Sequence, residues 1–337
     1  MIDVLVAGGG PAGLATAVRA ALAGMEAVVV EPRTTPVDKA CGEGVMPGGV
    51  AALRDLGVEV TGRELRGIRY LDGASRAEAP FRGAAGLGIR RTVLHTALHR
   101  RARELGVRMV TGRIGAVTQT GDSVGAAGLT ARWLVAADGL HSPVRRGLGL
   151  ELPDRSPARY GLRRHYHCAP WTDFVEVHWS PYGEAYVTPV GEDLVGVAVL
   201  SRIRRGYDDH LTRFPALAAA LSGPHASTVR GAGPLRQRAK RRSAGRVLLV
   251  GDAAGYVDAL TGEGIALALA TAEAAVRCLA AGRPEAYESA WARLTRRHRL
   301  LTGALLAASS RPRTARLVVP AAARVPAVFA AAVRALQ

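Results

Sequence analysis

The tightest constraint on this chain is a run of six residues, Gly8-Gly9-Gly10-Pro11-Ala12-Gly13, placed directly behind an apolar stretch at 2–7 and ahead of residues of helical composition at 14–23. The three spaced glycines have separate physical roles. Gly8 permits a tight reversal, Gly10 lets the backbone approach a pyrophosphate, and Gly13 allows the helix to pack closely on the strand. Free N–H groups at the helix start then face the negative charge. A second β-branched run at 27–30 ends in Glu31, eighteen residues beyond Gly13, where a carboxylate can accept hydrogen bonds from a ribose. Strand, glycine turn, helix, strand and acid together predict a dinucleotide-binding unit.

The rest of the chain is organised around that unit. At roughly 150 residues per domain, its 337 residues allow about two lobes with a sizeable core. Residues 132–137 and 246–250 read as two further buried strands. Between them, 160–168, 174–179, 184–190 and 194–200 are short strand-like runs separated by Pro, Gly and Asp, the pattern of an antiparallel sheet. The sequence after Gly262 is helical, and 287–337 read as helices interrupted at Pro312, Pro320 and Pro326. The predicted fold is α/β. A Rossmann-like nucleotide-binding lobe takes residues 1–70, 86–150 and 236–285; an inserted antiparallel-sheet substrate lobe takes 71–85 and 151–235; a C-terminal helical region takes 286–337.

Composition excludes several classes. The net charge of +17 invites nucleic acid as a partner, yet Lys39 and Lys240 are the only lysines, and arginine is spread along a chain rich in Ala and Gly. The densest basic run, RQRAKRR at 236–242, has no interleaved aromatic residue for base stacking and reads as a solvated connection between lobes. No nucleic-acid partner is expected. Cys41, Cys168 and Cys278 are odd in number and far apart, so reduced thiols and no metal site are expected. The N-terminus has no basic segment before its apolar run and no cleavage pattern after it, which points to a cytoplasmic protein. Arginines at 311, 313, 316, 324 and 334 punctuate apolar C-terminal helices that either cover the substrate lobe or make peripheral contact with a membrane.

Two distant segments narrow the class of dinucleotide: LVAADGLHSPVR at 134–145 and RVLLVGDAAGYVDALTGEGI at 246–265. With the opening glycine turn and Arg91 in RRTVLHTAL, these resemble the DG and GD motifs of the FAD-dependent superfamily of aromatic hydroxylases and geranylgeranyl reductases, over roughly residues 1 to 300. The resemblance implies a p-hydroxybenzoate hydroxylase-like fold and bound FAD, with NAD(P)H as a transient co-substrate. It carries cofactor contacts onto Gly8, Gly10, Pro11, Ala12, Gly13, Glu31, Arg33, Arg91, Asp138, Asp252, Gly262, Glu263, Gly264 and Ile265. Asp252 follows a buried strand with no cation in its own GDAAG segment, so a ribityl hydroxyl is a sensible partner; capping the next helix is the other use. Thr261-Gly262-Glu263-Gly264 opens a helix whose N–H groups can face the flavin edge that gains negative charge on reduction. Asp138 either ties its loop to the flavin-binding turn or touches the cofactor.

Subclasses of the superfamily then separate. Disulfide reductases need a second cysteine five places after Cys41, where Met46 stands. Halogenases need a lysine between 39 and 240 and a WxWxIP strand; the chain has neither. KACGEG at 39–44 and the TGEGI turn resemble the reductase branch, with Ala40, Glu43 and Ala259 departing from its pattern, and its YxWxFP signature survives only as Pro189. The aromatic- and His-rich sheet suits a planar phenolic ring. The expectation is therefore an FAD-dependent monooxygenase acting with NAD(P)H and O2 on a hydrophobic aromatic or polyketide-like small molecule. His165, His178 and Tyr186 are the candidate bases, and Cys41 can border the flavin. An FAD-dependent reductase of isoprenoid C=C bonds is the alternative. A basic flavoprotein that binds nucleic acid or a membrane surface is a third reading.

Overall fold

The structure, a computed structural model, describes residues 1–335. Residues 336 and 337, part of the expected C-terminal region, lie outside the described residues. Ile2–Ala7 is apolar at nearly every position because it is flanked on both sides within a parallel sheet and covered on both faces. Neighbouring strands run in the order Ser243–Ala244, Val247–Leu249, Leu129–Ala136, Ile2–Ala7, Ala27–Glu31 and Arg108–Thr111. Three separated segments of the chain thus build one sheet. The helix Pro11–Leu22 packs against Gly264–Ala280, and each buries four alanines, which allows their backbones to approach.

The second sheet has the order Arg230–Ala232, Tyr160–His167, Leu194–Ser201, Gly183–Pro189, Phe174–Ser180, Gly67–Leu71 and Arg76–Pro80. Two details differ from the expectation. The early segment joins this sheet at Gly67 rather than 71, because Gly67–Leu71 and Arg76–Pro80 form a hairpin. Gly67–Leu71 also pairs with Phe174–Ser180 in parallel, so the sheet is mixed. The period-two alternation of a strand separates its faces. Ile68, Tyr70, Val175 and Val177 line a cavity, while Arg69, Glu176 and Glu78 form an ion-pair cluster through Arg69.

The chain ends in the long helix Ala286–Ser309 and the shorter Pro312–Ala315, Val318–Arg324 and Pro326–Arg334. Pro312 and Pro326 begin helices, but Pro320 interrupts none. It occupies the third position of Val318–Arg324, inside the first turn, where a backbone N–H has no intrahelical partner to lose. The last two helices lie over Arg76–Pro80, with the Phe329 ring 4.6 Å from that of Tyr70. No single described helix is long and apolar enough to cross a membrane.

Candidate functional site

Gly8 has φ of +100°, and a Cβ on Gly13 would stand 1.8 Å from the Gly8 carbonyl oxygen, so neither position accepts a side chain. Gly10 differs. A Cβ there would meet only Arg91 Nη2, at 3.7 Å, across a cavity that Gly10, Pro11 and Ala12 help to line. A helix N-terminus and a buried guanidinium facing one gap have the shape and charge of a diphosphate site. His95, one turn beyond Arg91, donates from Nε2 to the Gly9 carbonyl oxygen at 2.9 Å and leaves Nδ1 buried without a partner. Burial and the Arg91 charge lower its pKa to about 4, so the ring is neutral at ordinary pH. Sequence reasoning missed this tether.

Glu31 accepts the Gly9 N–H at 2.7 Å and the Arg33 guanidinium at 2.6 Å. Burial pushes its pKa up, but these hydrogen bonds outweigh it and hold the carboxylate below its usual range. Asp138 accepts the Val144 N–H at 3.1 Å through Oδ2, tying its loop to the short helix Pro143–Gly147; its Oδ1 is buried without a partner. Asp252 lines the cavity within the turn Gly251–Ala254. Burial raises its pKa, and the Lys39 and Arg91 charges pull it back, so cations from distant segments do what its own segment cannot. Fully buried Arg145, also absent from the expected set, joins the DG and GD segments. Its Nη1 donates to the Ala253 carbonyl oxygen at 3.0 Å, and its Nη2 to Leu140 O at 2.7 Å and Gln237 Oε1 at 2.8 Å.

Gly262 has φ of +70°, and Gly262, Gly264 and Ile265 line the cavity. The Glu263 side chain does not share in the lining: its carboxylate lies 2.5 Å from His298 Nδ1, so only its backbone is presented to the turn. The 39–44 loop is held from three sides. Thr188 donates to Gly42 O at 2.7 Å, Arg163 Nη2 to Lys39 O at 3.1 Å, and Glu43 lies 2.5 Å from His165 Nε2. Glu43 has φ of +61°, unusual for a residue other than glycine. Its second oxygen accepts the Arg91 N–H at 2.8 Å, which links the loop to the diphosphate gap. Burial raises the pKa of the Cys41 thiol, keeping it protonated at the cavity wall.

The three expected bases are not brought together. His165 is completely buried between Glu43, Ser227 and Arg163. His178 alternates with cavity-lining Val175 and Val177 and instead reaches Glu176 at 3.3 Å. Tyr186 does line the cavity, but its hydroxyl donates to Leu260 O at 2.7 Å, and burial lifts its pKa well above the phenolic range. Where the reductase signature would lie, buried Glu184 instead accepts from Arg159 at 2.7 Å, and Arg159 donates onward to Asp258 at 2.9 Å, bracing the turn that leads into TGEG.

Two cavities meet here. The first, about 220 Å³, carries the glycine turn, Arg91, Asp252 and the 39–44 loop. The second, about 420 Å³, lies between the mixed sheet and the C-terminal helices and is overwhelmingly apolar, its mostly aliphatic wall joined by Tyr70, Tyr186 and Phe329. Both are lined by Met46, Val175, Tyr186 and Gly262.

An open diphosphate gap, a buried carboxylate where a ribityl chain would pass and a glycine-lined helix start fit a flavin dinucleotide. The comparisons agree. Residues 1–176 match the family described as FAD binding domain. The chain is 30% identical to the menaquinone reductase of Mycolicibacterium smegmatis, over 88% of this chain and 80% of that protein. It is also 30% identical to digeranylgeranylglycerophospholipid reductase 1 of Methanothermobacter thermautotrophicus, over 78% of this chain and 73% of that one. A geranylgeranyl bacteriochlorophyll reductase-like protein from Thermoplasma acidophilum shares the fold at a TM-score of 0.79 and 22% identity, covering 97% of this chain and 91% of that one. The chain belongs to this FAD-binding family and is an FAD-dependent oxidoreductase.

Proposed function

We propose that the protein reduces a C=C bond in the isoprenoid tail of a lipophilic molecule, the class to which a prenylated quinone or prenyl lipid belongs. This prefers the alternative named from sequence over hydroxylation of a phenolic ring. The observation that carries it is the aliphatic cavity of about 420 Å³ that abuts the flavin cavity at Met46, Val175, Tyr186 and Gly262. An apolar chain gains from burial there, and the site offers a phenol little to pair with. None of His165, His178 and Tyr186 is free to take a phenolic proton. The names of the two relatives at 30% identity point the same way.

In this reading, Gly10, Arg91 and the start of Pro11–Leu22 hold the FAD diphosphate, Glu31 the adenosine ribose, and Asp252 the ribityl chain. Bound FAD, once reduced by NAD(P)H, supplies a hydride equivalent. The TGEG turn presents backbone N–H groups to the ring edge that gains charge. Cys41, held as a thiol, is the neutral proton donor at the cavity wall, and the sheet and C-terminal helices exclude water from the tail. The test is anaerobic turnover of a prenylated quinone with NAD(P)H. A product two hydrogens heavier is expected. Product that forms only with oxygen and carries an atom of labelled O2 would establish hydroxylation instead.

A further inference from the structure

We propose that the C-terminal helices dock on an anionic lipid bilayer, with the mouth of the aliphatic cavity turned into it. The cavity's opening is identified by side chains that line it and are also exposed. Val325 and Val328 do both, at 50% and 64% exposure, and Leu317, next to the lining residue Val318, is 61% exposed. Large apolar side chains at a cavity mouth are costly in water and favourable at the acyl boundary.

The charge of the C-terminal segment is one-sided. From 289 to the end of the chain the sequence holds nine arginines and no Asp or Glu. Arg311, Arg313, Arg316 and Arg324 are exposed on the helices that carry the mouth. Each basic group near an anionic surface adds to binding, and the exposed valines and leucine add insertion, the two signals that stable peripheral attachment requires. Pro312–Arg324 and Pro326–Arg334 meet at 99°, which suits two short segments lying on a surface better than one crossing it. The same helices reach inward to Tyr70 through Phe329, so the docked face and the substrate cavity share a wall. That this face admits substrate rests on the reductase reading; that it binds lipid does not.

The test uses the flavin-loaded full chain and vesicles sedimented at low and high salt. Vesicles of equimolar phosphatidylcholine and phosphatidylglycerol should carry the protein down at low salt, while phosphatidylcholine alone should not. Replacing the four arginines together (R311Q, R313Q, R316Q, R324Q) should weaken partitioning at least about tenfold. The triple variant L317Q, V325Q, V328Q should lose it with flavin absorbance and melting unchanged. Failure to sediment with the anionic vesicles, or sedimentation of either variant equal to that of the unmutated chain, would overturn the proposal. So would a concentration-dependent dimer abolished by the triple variant, since a second copy would then own this face. Turnover of a short, soluble prenyl substrate without vesicles separates the readings: intact turnover without vesicle binding sinks only the docking, and vesicle binding without prenyl reduction sinks only the reductase.

Discussion

In the nucleotide lobe, a Cβ on Gly13 would stand 1.8 Å from a carbonyl oxygen; beneath the C-terminal helices, the surrounding side chains leave about 420 Å³ open. The first site is made by backbone at places where nothing else fits. The second is made by what many side chains, drawn from segments hundreds of residues apart, happen to leave unfilled. A backbone site repeats its few residues wherever the same cofactor is held, while a side-chain cavity can change shape through substitutions that each cost little. The departures from the reductase pattern at Ala40, Glu43 and Ala259 all line the flavin cavity.

The contrast breaks most easily at the glycines. Gly13→Ala should cost more than about 3 kcal/mol of stability, as a forced clash in a packed core does, read as a collapse of the melting temperature. Gly10→Val should instead leave a folded but colourless protein. If both variants melt alike, the division between a steric and a ligand-facing glycine is wrong. Next in size, Arg91→Gln removes the guanidinium proposed to hold the diphosphate, and FAD affinity should drop about 10- to 100-fold by fluorescence titration. Retained affinity would move the diphosphate elsewhere.

His95 sharpens the comparison through pH. Its pKa is held near 4 in the folded chain and rises to its ordinary value on unfolding, so between those values the unfolded chain binds the extra proton. Its stabilising contribution is therefore complete above about pH 6.5 and declines as pH falls toward 4. His95→Gln keeps a donor for Gly9 O and should flatten that part of the denaturation profile, on the order of 2 kcal/mol. In the other region, Ala322→Phe should fill part of the aliphatic cavity and lower kcat/KM for a prenyl substrate about tenfold with FAD binding unchanged. Full activity would show that substrate bypasses this cavity. The smallest effect is expected at His178, which lies away from the cavity: His178→Ala should keep turnover within about twofold, and a large loss would restore it as a base.

What could be read ahead of the structure follows the same division. The glycine turn, Glu31 and the main strands of both sheets are coded locally, by spacing and by period, whereas Arg108–Thr111, Ser243–Ala244, Gly67–Leu71, Arg76–Pro80 and Arg230–Ala232 were not read as strands. The role of Pro320 was misjudged because proline breaks a helix only where an N–H is needed. His165 and His178 passed as bases on composition, since alternation assigns a face without saying which face meets the cofactor. The contacts of Arg145, His95 and Glu43 were invisible for a simpler reason. Their partners lie up to 122 residues away, and no local pattern records a contact across that distance.

The sheet that begins with Ile2–Ala7 is closed on one side by Val247–Leu249, which pairs with Leu129–Ala136. On the ribosome, the first strands emerge long before that partner exists. At elongation speeds of roughly 5–20 residues per second, the Leu134–Ala136 end of that strand, beyond the part paired with Val124–Ala126, stays open for on the order of ten seconds. During that interval an apolar strand with unpaired N–H and C=O groups is available to any other chain. Yield during synthesis should therefore depend on chaperone supply and on translation speed between the two strands, a demand created by connectivity rather than by stability.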